Sequence, residues 1–221
     1  YATSALLGTN GDYWASSAPS STFYKGSLTS IDGYFWGFKV ANSLSNEWST
    51  SLLNKTNLNT NYLNNIGTTW SNLIEDATWK VSGHSEDEIT SSEMYTAEIT
   101  NATKTYGPSD GTSKIGLMYA SDYGFAASPS AWTKTLGNYS GNDVNGTSIK
   151  TINWMYMGNY EWTISPHSSG SSNVFYLSEG GYVYYFDAEN GYGSRPVLYL
   201  KSSVLYAGGS GTKDSPITLV V

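Results

Sequence analysis

The chain has 221 residues, only 13% of them charged, with a formal net charge of −7, no cysteine, 19 Tyr, eight Trp and 23 Gly. That length suits one sizeable domain, or one domain with an N-terminal extension, and the acidic balance disfavours nucleic acid and anionic membrane surfaces as partners. Without cysteine there can be no disulfide, thiolate zinc site or Cys nucleophile. No apolar run approaches the about 18 residues of a membrane span, so this segment is not expected to insert into a membrane. A surface so poor in charge, where an ordinary soluble domain has about a quarter of its residues charged, suits an extracellular or cell-surface protein. The chain begins at Tyr1 rather than Met and shows no signal peptide, which reads as a processed or shortened start.

Residues 1–30 carry weak signals, with Gly8, Gly11 and Gly26 punctuating short aromatic pieces. Residues 31–40 are dense in aromatics and read as one or two strands around Gly33 and Gly37. Residues 45–76 form the best helical region. Ser45 can cap a segment carrying the i,i+4 pair Trp48/Leu52. Leu58, Tyr62, Leu63 and Ile66 form a second stripe that stops at Gly67, and Trp70, Leu73 and Ile74 form a third; all three read as core-facing. Residues 1–44 are set apart as an extension or strands of uncertain affiliation, and 45–221 as the main domain.

The β-rich half starts at 77–81. Residues 83–92 form a loop in which Glu86, Asp87 and Glu88 cluster, with Glu93 following. Residues 94–99 alternate as a strand, 103–113 read as a loop, 115–120 as a buried strand, and 121–131 as a loop or short helix. Residues 137–147 form a long polar loop offering Asn142, Asp143 and Asn145. Neither oxygen-rich loop has the register of a calcium loop, so no metal essential to the fold and no cofactor is expected. Four Asn-x-Ser/Thr sequons begin at Asn54, Asn101, Asn138 and Asn145, which chance explains in so Asn/Thr-rich a chain.

Catalytic constellations are absent from the pattern. The two histidines, His84 and His167, stand isolated in Ser/Gly loops, which leaves no His-based metal triad. There is no Gly-x-Ser-x-Gly elbow or phosphate-binding glycine loop. Glu161 and Asp187 are the one conceivable glycosidase pair. The chain therefore reads as non-enzymatic.

The richest stretch is 153–200. It contains a Ser/Gly run at 165–172 and strands at 174–177 and 182–186, and it closes on Gly193-Ser194-Arg195-Pro196-Val197-Leu198. Between Tyr160 and Ser194 most positions outside the apolar framework are Tyr, Ser, Gly, Asn or Asp, the composition of an adaptable recognition surface. Strand alternation puts Val183 and Tyr185 on one side and Tyr182, Tyr184 and Phe186 on the other. In the preceding strand it puts Phe175 and Leu177 toward the core and Tyr176 outward. Ordinary β propensity would also place tyrosines here, but an outward row flanked by Ser, Gly, Asn and Asp reads as an interaction surface.

The segment Trp154-Met155-Tyr156-Met157-Gly158-Asn159-Tyr160-Glu161-Trp162-Thr163, its variable middle and the Gly-x-Arg-Pro-Val-Leu ending resemble the C-terminal half of C-type-lectin-fold domains. The similarity is to surface domains of gut Gram-positive bacteria, to variable proteins diversified by retroelements, and distantly to formylglycine-generating-enzyme-like proteins. It reaches back to 77–81 and 115–125 and forward to 208–216, about two-thirds of the chain. The resemblance implies an α+β, C-type-lectin-like fold with short helices, small antiparallel sheets, and terminal segments meeting near 216–221. It implies a framework of Trp154, Glu161, Trp162, Arg195 and Pro196, and in the Gram-positive relatives a preceding pilin-like hydrophobic helix. The formylglycine-generating activity uses cysteines and is not expected here. In the diversified relatives the variable positions precede the Gly-x-Arg-Pro segment and favour Asn, Asp, Ser, Gly, Tyr and His. Many residues of 167–192 fit that set, while Glu179 and Glu189 do not.

Together these imply a surface-displayed adhesin or variable receptor that binds a protein or glycan ligand on another cell. The expected ligand face is Tyr176, Tyr182, Tyr184, Tyr185, Asp187, Asn190 and Tyr192, with His167 and Asn173. A structural subunit of a surface filament and a glycan-acting enzyme are the alternatives. Oligomeric state is not legible.

Overall fold

The computed structural model describes residues 45–51, 53–105, 107–212 and 214–221. The strands expected over 31–40, and the Leu52 half of the Trp48/Leu52 pair, lie outside these. The fold is α+β, with short helical segments and small antiparallel sheets.

The opening helical region forms in short pieces. A 3₁₀ turn Trp48–Thr50 leads into a π-helical segment Leu53–Tyr62, then one-turn helices Leu63–Asn65 and Thr68–Ser71. The Asn and Thr content explains this fragmentation, because such side chains compete for backbone groups. Asn54 donates to the Trp48 carbonyl, and Asn59 both donates to the Ile115 carbonyl and accepts its N–H, as a strand neighbour would. Ser45 accepts the Glu47 N–H without heading a helix. Leu53 and Leu58 are buried. Trp70 departs from the expected core-facing stripe: the last turn lies at the margin, so Ile74 enters the core while Trp70 stays 56% exposed.

Strand β1 (Ala77–Lys80) pairs with β2 (Asp110–Ser113), so the end of the expected 103–113 loop is a strand. The expected strand over 94–99 is instead a helix, Ser91–Tyr95, continued by the π turn Thr96–Thr100. The reason is the capping box: Thr90 accepts the Glu93 N–H, and Glu93 accepts the Thr90 N–H. Met94 and Glu98, one helical turn apart, then share the buried face. Only the start of 115–120 is a strand, β3 (Ile115–Gly116), and Ala120–Phe125 is a helix.

Strands β4 (Glu161–Pro166), β5 (Asn173–Leu177) and β6 (Val183–Asp187) form one antiparallel sheet in that order. β7 (Val197–Leu198) returns to pair with β3, and β8 (Leu205–Gly208) pairs with β9 (Thr218–Val220). A Cβ on Gly116 would meet the Trp79 ring at 2.7 Å, so glycine is required where β3 crosses that indole. The three-stranded sheet separates two hydrophobic clusters. Trp162, Ile164, Val174 and Tyr176 face one built around Trp48, Leu58, Trp79 and Ile115. Phe175, Leu177 and Val183 face the other, with Met94, Met118, Tyr123, Leu136 and Tyr139. Covered on both faces, β5 is buried from Val174 through Leu177. Tyr176 therefore lies inside, contrary to its expected outward placement, with 7% of its surface exposed.

Glu98 ties the second cluster together. Its fully buried carboxyl accepts the N–H groups of Ala120 (3.0 Å) and Ser121 (3.3 Å), and the Ser165 hydroxyl of β4. Burial outweighs these bonds and raises its titration from near 4.5 to about 8. Because the folded value is raised, the stability from protonated Glu98 is full below the ordinary carboxyl range and is lost as pH rises through about 8. His167, whose titration burial lowers, acts in the opposite direction at the acid end, so a difference measurement is needed. The stability of the native chain minus that of Glu98→Gln, from chemical denaturation, should fall steadily between pH 4.5 and about 8. A difference independent of pH would show that Glu98 keeps one protonation state on folding.

Candidate ligand-binding site

The β5–β6 hairpin carries most of the expected ligand face. Its loop closes through the Ser178 N–H to the Tyr182 carbonyl (2.9 Å) and the Gly181 N–H to the Ser178 carbonyl (3.0 Å). Gly181 sits at φ +91°, a conformation that favours glycine. Register places Trp162, Tyr176 and Tyr184 opposite one another across the sheet, and Val174 opposite Phe186. Phe175 pairs with Tyr185. The alternation expected within β6 therefore holds: Val183 is buried, while Tyr184 and Phe186 are 40% and 48% exposed.

The aromatic residues divide into two groups. In the first, Tyr192 stacks on Tyr160 with centroids 5.2 Å apart and an 18° interplanar angle, and lies 4.5 Å from Trp162 and 4.8 Å from Tyr176. Burial, reinforced by the neighbouring phenols of Tyr160 and Tyr182, pushes Tyr192 up to about 12, and burial also raises Tyr176 and Tyr160. Tyr160, Trp162, Tyr176 and Tyr192 thus form a packed aromatic box, and Tyr182, in the hairpin loop, is half-buried. The second group lies along β6. Tyr184 and Tyr185 rings are parallel, 5.1 Å apart, and Tyr185 packs on His167 at 4.4 Å.

Polar members of the expected face are engaged in holding loops. His167 is buried rather than available to a ligand. Its Nδ1 accepts the Gly170 N–H at 2.8 Å and its Nε2 lies 2.9 Å from the Ser85 carbonyl, which sets the Nε2–H tautomer. Asp187 accepts from the Asn173 amide (3.1 Å) and the Ser172 hydroxyl (3.3 Å), while the Asn190 amide donates to the Asp187 carbonyl (2.9 Å). Asn173 and Asn190 remain half-exposed. In the 137–147 loop, Asp143 accepts the Asn145 and Thr147 N–H groups and the Ser130 hydroxyl, and that hydroxyl chiefly lowers its titration.

Behind the face stands an ion pair. Glu161, buried at the start of β4, accepts from the Arg195 guanidinium at 2.6 Å, and Arg195 also donates to the Met155 carbonyl at 3.1 Å. Trp162 is fully buried, and Pro196, next to Arg195 in the chain, is half-buried. Trp154 is not framework: it is 78% exposed, because the buried neighbours Asn153 and Met155 face inward. Glu161 and Asp187 stand opposite Leu177 and Asn173, four β5 residues apart and on opposite outer strands. That is about 13 Å along the strand direction alone, beyond the roughly 5–9.5 Å of paired glycosidase carboxylates. Two residues outside the expected set join the arrangement, Tyr160 in the aromatic box and Phe186 on the exposed face. Both were legible in principle, Phe186 by its alternation with Tyr184 and Tyr160 by its place beside Glu161.

Comparison of the chain with known protein families, with curated proteins and with solved structures finds no match in any of the three.

Replacing Arg195 by Ala leaves a buried carboxylate without its cation, which should cost about 3 kcal/mol and lower the thermal midpoint by several degrees. Arg195→Lys should recover part of that loss. An unchanged midpoint in Arg195→Ala would mean that the pair contributes nothing to the framework.

Proposed function

We propose that the chain is a non-enzymatic ligand-binding module of C-type-lectin-like fold, displayed at a cell surface as an adhesin or variable receptor. Its partner is a protein or glycan on another cell or surface, and the polar-aromatic composition of 167–192 is consistent with retroelement diversification. The observation that carries the reading is the exposed pair Tyr184 and Phe186 on β6. Large rings left out on an ordered strand, beside half-exposed amides of Asn173 and Asn190, suit an interface. The ligand face on this reading is Tyr182, Tyr184, Phe186, Asn173 and Asn190, with Tyr185 and Asp187 supporting it from behind. Tyr176 and Tyr192 belong to the aromatic box.

One observation favours the alternative of a filament subunit. β6 is the outer strand of its sheet and has no strand partner on its far side among the described residues. Such an edge can accept a strand from a neighbouring copy.

The test is the triple substitution of Tyr182, Tyr184 and Phe186 by Ser. Interface aromatics lose about 2 kcal/mol or more each on truncation, so binding to protein and glycan panels should fall by more than about a hundredfold. The melting midpoint should move little, because the residues are half-exposed or exposed. Tyr176→Ser, by contrast, should destabilise through cavity formation. A triple variant that binds every partner as the parent does would end the proposal. Loss of self-association in the triple variant, with no other ligand found, would favour the filament.

A further inference from the structure

The most exposed tryptophan among the described residues is Trp154, at 78%. Its backbone is not loose. The Asn153 amide donates to the Tyr123 carbonyl at 2.9 Å while its oxygen accepts the Met155 N–H at 3.0 Å, and the Trp154 N–H reaches the Ala126 carbonyl at 3.4 Å. Arg195 holds the Met155 carbonyl from behind. The indole is thus presented to solvent from an anchored segment, so little ordering entropy would be lost on binding.

Beneath it lies a groove of about 450 Å³, walled by Met118, Phe125, Met155 and Val197, with Asp122 as its one ionisable group. That volume is within the range of small-ligand sites. Phe125 continues the apolar surface outward, meeting Trp132 edge-on at 5.3 Å and Tyr95 at 6.3 Å, both partly exposed. A patch extending beyond the groove in this way points to a macromolecular partner rather than a free small molecule. Asp122 Oδ2 accepts the Tyr119 N–H at 3.0 Å, and Oδ1 has no partner among the described residues.

The chemistry of these walls selects the occupant. A sugar needs several directed hydrogen bonds, and this groove offers one carboxylate among hydrocarbon and thioether surfaces. A lysine or arginine side chain has an aliphatic stem for the walls and a cation for Asp122 and for the face of the indole, the ring that attracts cations best. The nearby Arg195 does not compete, since Glu161 neutralises it, and the chain as a whole carries −7, which attracts basic partners. We propose that the Trp154 groove is a second docking site, separate from the β6 face, which takes a basic side chain of a partner protein.

The test is a titration of the full chain with a blocked peptide of alternating lysine and glycine, following the indole N–H resonance of Trp154, assigned with Trp154→Phe. The resonance should shift saturably. The same peptide with norleucine for lysine should bind roughly tenfold more weakly, as should Asp122→Asn with the lysine peptide. Asparagine keeps the carbonyl that accepts the Tyr119 N–H, so Asp122→Asn should melt with the parent. Trp154→Ala should lose roughly tenfold in affinity, read by calorimetry. No saturable shift with the lysine peptide, equal binding of the norleucine peptide, full affinity in Asp122→Asn, or a shift only with an oligosaccharide such as cellohexaose would each overturn the proposal.

Discussion

The pair between Glu161 and Arg195 sets the geometry of everything around it. A buried carboxylate at the first residue of β4 is tolerable only with a cation held close, and Arg195, the one arginine of the chain, supplies it. Arg195 also takes the Met155 carbonyl, so one guanidinium ties both ends of the 155–161 stretch to the segment before β7. Two backbone bonds run beside it, from the Trp162 N–H to the Gly193 carbonyl and from the Gly193 N–H to the Tyr160 carbonyl, both 3.0 Å. This parallel bridge sets Tyr160 alongside Tyr192, and the stacked rings follow from it. Just beyond Arg195, Val197 and Leu198 form β7 on β3, where Gly116 admits the Trp79 ring. The aromatic box, the return of the chain and the 153–155 segment are thus gathered around one neutralised charge.

The three-stranded sheet imposes the second constraint. Clusters on both faces leave β5 no solvent side, and β4 is buried along its whole length. Only the outer strand β6 can combine a packed residue such as Val183 with exposed ones such as Tyr184 and Phe186. Exposed rings of this sheet are therefore confined to its β6 edge, where ring orientation is governed by neighbours. Tyr185 shows this well: His167, locked by its two ring nitrogens, and Phe175 pack against it, and Tyr184 lies parallel over it.

What the sequence made legible, and what it did not, follows from the same physics. Period-2 alternation located β5 and β6 and divided their residues between two faces. Alternation cannot say whether a face is covered, which is why Tyr176 was placed outside although a second cluster closes over it. Residues 94–99 alternate as a strand would, yet the Thr90/Glu93 capping box just upstream dictates a helix. That signal was present in the sequence and outweighs the alternation, because it satisfies backbone donors that nothing else nearby would. Trp154 failed differently. A tryptophan inside a resemblance to framework was taken as framework, whereas its exposure depends on Asn153, whose side-chain bonds to Tyr123 and Met155 no local pattern reveals.

The β6 face and the Trp154 groove differ in a way that charge accounts for. Along β6 the only carboxylate, Asp187, is engaged by Asn173 and Ser172, so what that face exposes is chiefly rings and amides. At the Trp154 groove, Asp122 keeps one carboxylate oxygen outside its bond to Tyr119. In a chain with so few charged residues, most of those near the sheet hold structure: Glu161 with Arg195, Glu98 at the Ala120–Phe125 helix, and Asp187 in its loop. A carboxylate left at an apolar groove is therefore the exception, and the proposed docking of a basic side chain there rests on it. On the proposed reading, the β6 face, lacking such a group, would select by shape and by hydrogen bonding, a task that Tyr, Ser and Asn can meet with many different substitutions on one unchanged frame.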